Sequence, residues 1–101
     1  MHQTLKLYEQ YSHVTCCNAQ VLSCQLDDPQ NRYAVVLDRT VFFPEGGGQF
    51  ADLGTITLLS SEVNRTPSCS VNVLDVQIQD EIIVHYTEKP LPENAFVYCE
   101  I

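Results

Sequence analysis

Apolar and polar residues alternate along much of this chain with the two-residue period of half-buried strands. Val71 and Val73 alternate with polar partners, and so do Val76 and Ile78, but the phase slips by one residue at Leu74-Asp75. A one-residue slip moves a strand's apolar set to its other face, so the pattern predicts a bulge or a bend between sheet faces there. Ala95, Val97, Cys99 and Ile101 alternate again. Residues 14–24 read as a further strand, with Val14, Cys16 and Asn18 on one face and Cys17, Ala19 and Val21 on the other. Residues 33–37, 53–59 and 81–86 are shorter β-rich runs.

Turn signals separate these runs: Asp27-Asp28-Pro29, residues 44–48, residues 64–67, Gln79-Asp80 and residues 90–94. Helical periodicity is weak, and only the N-terminal LKLYEQY could close a short turn. Roughly six or seven short strands at even spacing predict an all-β fold, a small closed or nearly closed β-barrel. At 101 residues there is room for one core, and no repeat, low-complexity tract or linker divides it. The expectation is a single β-barrel domain over residues 1–101.

Charge narrows the partners. Five Lys and Arg stand against thirteen Asp and Glu, a formal net of -8. Such a chain repels phosphate backbones at long range, and its basic residues, Lys6, Arg32, Arg39, Arg65 and Lys89, are scattered. A stand-alone RNA-binding domain is therefore rejected. The five cysteines include no Cys-x-x-Cys pair, and adjacent Cys16 and Cys17 point to opposite faces of a strand, poor geometry for a shared ion. They are expected to be small, largely buried thiols of a reducing cytoplasm. The N-terminus lacks the apolar core of a secretory signal, and no stretch approaches the roughly 20 apolar residues of a membrane span. Asn64-Arg65-Thr66 matches a glycosylation sequon only formally.

The segment with the most chemical content is LDRTVFFPEGGGQFADLG, residues 37–54. Consecutive glycines cost backbone entropy and suit places where the chain needs positive φ or close approach. Their amides can form an anion nest for phosphate or carboxylate, but on the glycines alone a tight barrel corner without a ligand is the favoured reading. The run is neither a P-loop nor a dinucleotide fingerprint, since no Gly-Lys-Ser/Thr and no helix-opening Gly-x-Gly-x-x-Gly is present.

The whole string resembles the glycine-rich signature of alanyl-tRNA editing proteins and of the related editing region of alanyl-tRNA synthetases. Thr40, Phe42, Pro44, Glu45, Gly46, Gly47, Gly48, Gln49, Asp52 and Gly54 match that pattern, and Phe43 stands where the family usually has Tyr. Weaker likeness extends to Leu7-Tyr8, Tyr11 and Ile83-Val84-His85-Tyr86, covering most of the chain. The resemblance implies a barrel similar to one in translation factors, placed before a second domain that binds zinc through HxxxH and CxxxH motifs. It implies hydrolysis of tRNA(Ala) wrongly charged with serine or glycine.

Neither zinc motif occurs here: His2, His13 and His85 have no metal-like spacing to one another or to Cys. Zinc acts by lowering the pKa of the attacking water, so no catalytic residue, metal or cofactor is expected in this chain, and zinc only in the absent catalytic domain. His85 is expected to be structural or at the surface, and the acid pairs Asp27-Asp28 and Asp80-Glu81 to lie solvated in turns. By the resemblance, Thr40, Glu45, Gly46, Gly47, Gly48, Gln49 and Asp52 form a loop facing the substrate end of the tRNA or the catalytic domain. Gln49 and the glycine amides would act as donors and Thr40 as a polar support. Two functions stay open: the non-catalytic N-terminal subdomain of an editing hydrolase, or a stand-alone protein-binding module derived from one. The expected partners are an editing catalytic domain, on the same or a separate chain, and tRNA(Ala) indirectly, with no membrane. A barrel edge orphaned at the C-terminus could also pair two copies as a homodimer.

Overall fold

A computed structural model describes residues 5–10, 15–27, 31–46, 51–59 and 67–101. The elements are β1 (Leu5–Lys6), α1 (Leu7–Gln10), β2 (Cys16–Asp27), β3 (Arg32–Leu37), β4 (Arg39–Thr40), β5 (Thr55–Leu59), β6 (Pro67–Gln79), β7 (Ile82–Thr87) and β8 (Phe96–Glu100). Six of them close a barrel in the order β2-β3-β7-β6-β5-β8, with every neighbouring pair antiparallel. The all-β barrel expected from the alternation is present, and α1 is the short N-terminal turn.

Closure depends on two long strands that change neighbours part-way. β2 pairs with β8 over Cys16 to Gln20 and with β3 from Val21 onward, with an irregularity between Val21 and Ser23. β6 pairs with β5 up to Asn72 and with β7 from Val73, and its register shifts between Val73 and Asp75. This is the phase slip visible at Leu74-Asp75. Val71, Val73 and Val76 all face the interior, while Leu74 is turned out to solvent. A bulge bends its strand and increases twist, which lets one strand serve both halves of a small barrel.

The interior is filled by Val21, Val35, Leu37, Val41, Phe42, Ile56, Val76, Ile83, Val97 and Cys99, all fully buried. Burying each of these side chains contributes on the order of 1.5–3 kcal/mol. Several expectations need correction. Ile78 and Ile101 continue the alternation on paper but are exposed, because β6 runs on past the core and Ile101 follows the end of β8. Leu53 precedes β5 and is exposed. Glu81 is not a strand residue: Asp80 and Glu81, at φ of 50° and 68°, form the two-residue turn joining β6 to β7. Two positive φ values suit the right-handed twist of a hairpin, though the sequence has no glycine to announce it. The orphaned edge is also absent. β8 is hydrogen-bonded to β2 on one side and to β5 on the other, so the geometric reason for a homodimer disappears.

Candidate functional site

The segment after β3 crosses one end of the barrel, and its residues divide into anchors and an exposed middle. Asp38 is the first anchor. Its carboxylate accepts the Gln20 N–H at 2.9 Å, its own N–H donates to Gln20 O at 3.0 Å, and its carbonyl accepts Leu5 N–H at 3.0 Å. One residue thus ties the crossing chain to β2 and sets the parallel pairing of β1 with β4.

Thr40 is the second anchor, and it is fully buried. Its hydroxyl accepts the Phe42 N–H at 3.0 Å and lies 2.7 Å from His85 Nε2. His85, also fully buried, has its other ring nitrogen 3.1 Å from the Val35 carbonyl. A carbonyl can only accept, so Nδ1 carries the proton, Nε2 accepts, and the Thr40 hydroxyl donates to it. Burial holds the imidazole well below its ordinary range, at about 4, against a smaller opposing pull from the Val35 carbonyl. The ring is neutral and meets Phe42 edge to face, centroids 5.5 Å apart. The expected structural role of His85 is what the structure contains.

Asp52 is the third anchor. Its carboxylate accepts the Phe43 N–H at 3.1 Å and its N–H donates to the Phe43 carbonyl at 2.9 Å. These two bonds clasp the two described flanks of the segment, Phe43 and Asp52, together. The part just after Phe43 is held down separately. Glu45 N–H donates to Val76 O at 2.9 Å, and the Gln77 side-chain amide donates to Glu45 Oε1 at 2.9 Å and to Asp75 Oδ2 at 3.0 Å. The β6 bulge at Asp75 brings these groups beneath Glu45. Gly54 ends the segment against β8: a Cβ there would sit 2.1 Å from the Glu100 carbonyl oxygen, so only glycine permits the approach.

The candidate residues therefore separate. Thr40 faces the core, Asp52 faces the loop backbone, and Glu45 and Gly46 are exposed. Gly47, Gly48 and Gln49 lie outside the described residues. Phe43 is partly exposed and packs against Tyr8 of α1 at 4.8 Å between ring centroids. Two links do not show in the sequence pattern, the Asp38 clamp and the Thr40–His85 bond. A signal for the second was present, since a histidine within the apolar run IIVHYT must find partners for both ring nitrogens.

The described residues do not fit a zinc site. No three His, Cys, Asp or Glu come together among them, and both nitrogens of His85 are already engaged. The thiols depart from the expected burial: Cys99 is buried, Cys17 and Cys24 are intermediate, and Cys16 and Cys69 are exposed. Three of the basic residues are matched by acids: Lys6 by Glu81, Arg32 by Asp27 at 2.8 Å, and Arg39 by Asp38 at 3.5 Å. Asp27 lies within β2 and Glu81 in a turn, so acids expected as free solvated charges carry ion pairs.

Comparison with known proteins decides the lineage. Residues 3–98 match the family model of class II (A) tRNA synthetases. The chain belongs to this family. Alanine–tRNA ligase of Natronomonas pharaonis is 36% identical over 101 residues, covering 98% of this chain and 10% of that protein. The ligase of Pyrobaculum neutrophilum is 38% identical over 100 residues, again 98% of this chain and 10% of the relative. That of Haloquadratum walsbyi is 36% identical over 89 residues, 87% of this chain and 9% of the relative. The chain thus spans about a tenth of the length of these class II synthetases.

Proposed function

We propose that this chain is the N-terminal, recognition-side barrel of an alanyl-tRNA editing hydrolase, cytoplasmic and not catalytic by itself. The observation that carries this reading is the division of labour within residues 37–54. Asp38, Thr40, Asp52 and Gly54 bind the segment to the barrel, while Glu45 and Gly46 are left at the surface. Groups held on rigid anchors cost little further ordering when a partner engages them. The family match over residues 3–98 and the alanine–tRNA ligase relatives support a role linked to tRNA(Ala), and the proposal takes tRNA(Ala) mischarged with serine or glycine as the substrate.

In this reading the zinc-dependent hydrolysis belongs to a separate catalytic domain, which supplies the activated water. The barrel presents Glu45, the glycine amides and Gln49 to that domain and to the aminoacyl end of the tRNA. The acidic net charge of -8 suits contact with a protein domain better than unaided contact with RNA. The test is Gly47→Val in a full-length editing protein carrying this barrel. Deacylation of Ser-tRNA(Ala) falls by at least about tenfold, the size of a substrate-positioning loss, while zinc content is unchanged. Unimpaired editing would count against the loop's role.

A further inference from the structure

Cys17 and Cys99 are register partners on adjacent antiparallel strands, β2 and β8. The hydrogen bonds on either side identify the kind of pair. Ile101 N–H donates to Thr15 O at 2.9 Å and Val21 N–H donates to Ala95 O at 2.9 Å. Bonded and non-bonded pairs alternate along a ladder, so Cys17 and Cys99 occupy a bonded pair, with Cα atoms about 5.5 Å apart. That Cα separation is within the disulfide range. Cβ atoms of a bonded pair stand about 5.5 Å apart against about 3.5–4.5 Å in a disulfide, so closing the bond draws the two strands together and leaves it strained and readily reduced. Both side chains are on the inward face, with Ala19, Val21 and Val97. Cys99 is fully buried, whereas Cys17 is only partly covered, at the barrel end crossed by residues 38–42.

The two thiols have opposite characters. The Cys99 S–H donates to Cys17 sulfur, which together with the Val41 N–H and nearby Arg39 holds the Cys17 thiol below its ordinary range, against burial and Asp38. The same bond to Cys17, with burial, pushes the Cys99 thiol up. A partly accessible sulfur whose thiol is held below its ordinary range therefore stands in front of a buried thiol. Nucleophilic, redox-active cysteines occupy such surroundings, and inert structural ones do not. The exposed thiols are built differently: Cys16 interacts with the Tyr98 hydroxyl on the outer face, and Cys69 has no cysteine opposite it, being paired in register with Leu58.

We infer that Cys17 and Cys99 form a reversible oxidation site at which a small hydroperoxide converts the dithiol to an intramolecular disulfide joining β2 to β8. The Cys17 thiolate attacks the hydroperoxide, the O–O bond breaks, and the leaving oxygen takes a proton to become water or an alcohol. Cys17 is then a sulfenic acid. Cys99 sulfur attacks Cys17 sulfur, the S–O bond breaks, and hydroxide leaves with the Cys99 proton as water. In total, two thiols and one hydroperoxide give one disulfide, one water and one water or alcohol. The site touches both ends of the glycine-rich segment, since Cys17 sulfur takes the Val41 N–H and the Glu100 carbonyl beside Cys99 packs on Gly54.

The test treats the reduced chain with hydrogen peroxide, alkylates the remaining thiols and sequences the peptides by tandem mass spectrometry. The expected product is a Cys17–Cys99 linked peptide lacking two hydrogens and reversed by dithiothreitol. Cys16→Ser retains that linkage and Cys17→Ser abolishes it, while Cys99→Ser leaves a Cys17 sulfenic acid trapped by dimedone. Wild-type chain in which Cys16 or Cys69 is oxidised while Cys17 and Cys99 are both alkylated would overturn the inference. So would a disulfide joining either residue to any other cysteine.

Discussion

At the scale of single residues, the bond between Thr40 and His85 governs the barrel end beneath the glycine-rich segment. Thr40→Val keeps the shape but leaves His85 Nε2 and the Phe42 N–H without a partner inside the core. The expected loss is about 1–3 kcal/mol, read from the urea midpoint, with Thr40→Ser close to wild type. His85 also predicts a pH dependence. Its pKa falls from 6.5 to about 4 on folding, so between these values the unfolded chain binds more protons and stability rises with pH. The contribution is complete above about pH 6.5 and is lost as pH falls through 4, on the order of 3 kcal/mol in all. Unfolding free energies measured from pH 7 to 4.5 should therefore fall less steeply for His85→Gln than for wild type. Gly54→Ala, which pushes a methyl into the Glu100 carbonyl, should cost about 1–3 kcal/mol, and an unchanged midpoint would refute that contact. Much of this was hidden from the sequence. The matching string marked Thr40, Asp52 and Gly54, but their partners His85, Phe43 and Glu100 are set by how separate strands meet.

At the scale of elements, the two long strands explain both the fold and the loop. The slip at Leu74-Asp75 was legible because one register step exchanges faces, and the structure has its bulge there. The corresponding irregularity in β2 between Val21 and Ser23 was not legible, since both faces of that stretch carry small or apolar residues. The Asp80-Glu81 turn was shifted by one residue because positive φ without glycine leaves no compositional trace. The described flanks of the glycine-rich segment are joined by the Phe43–Asp52 clasp. Asp52→Ala should weaken that closure by about 1 kcal/mol and speed amide exchange at Phe43, leaving Val35 and Val97 in the barrel protected. Equal acceleration throughout would mean that the clasp is global rather than local.

At the scale of the whole molecule, each of the six barrel strands among the described residues has a neighbour on both sides, so a partner of the barrel meets side chains and loops rather than an unpaired barrel edge. The chain carries net charge -8, and Lys6, Arg32 and Arg39 are already matched by carboxylates. Against that background the surface portion of the glycine-rich segment, Glu45 and Gly46, is the feature to which the proposed function assigns the partner. The account's central claim is that this barrel handles substrate for chemistry done elsewhere. The most direct measurement is hydrolysis of Ser-tRNA(Ala) by the chain with zinc, alone and mixed with a separately produced zinc-binding editing domain. The account predicts no turnover above the spontaneous rate by the chain alone, and faster hydrolysis by the mixture than by the editing domain alone. Turnover by the isolated chain, or a mixture no faster than the domain, would contradict it.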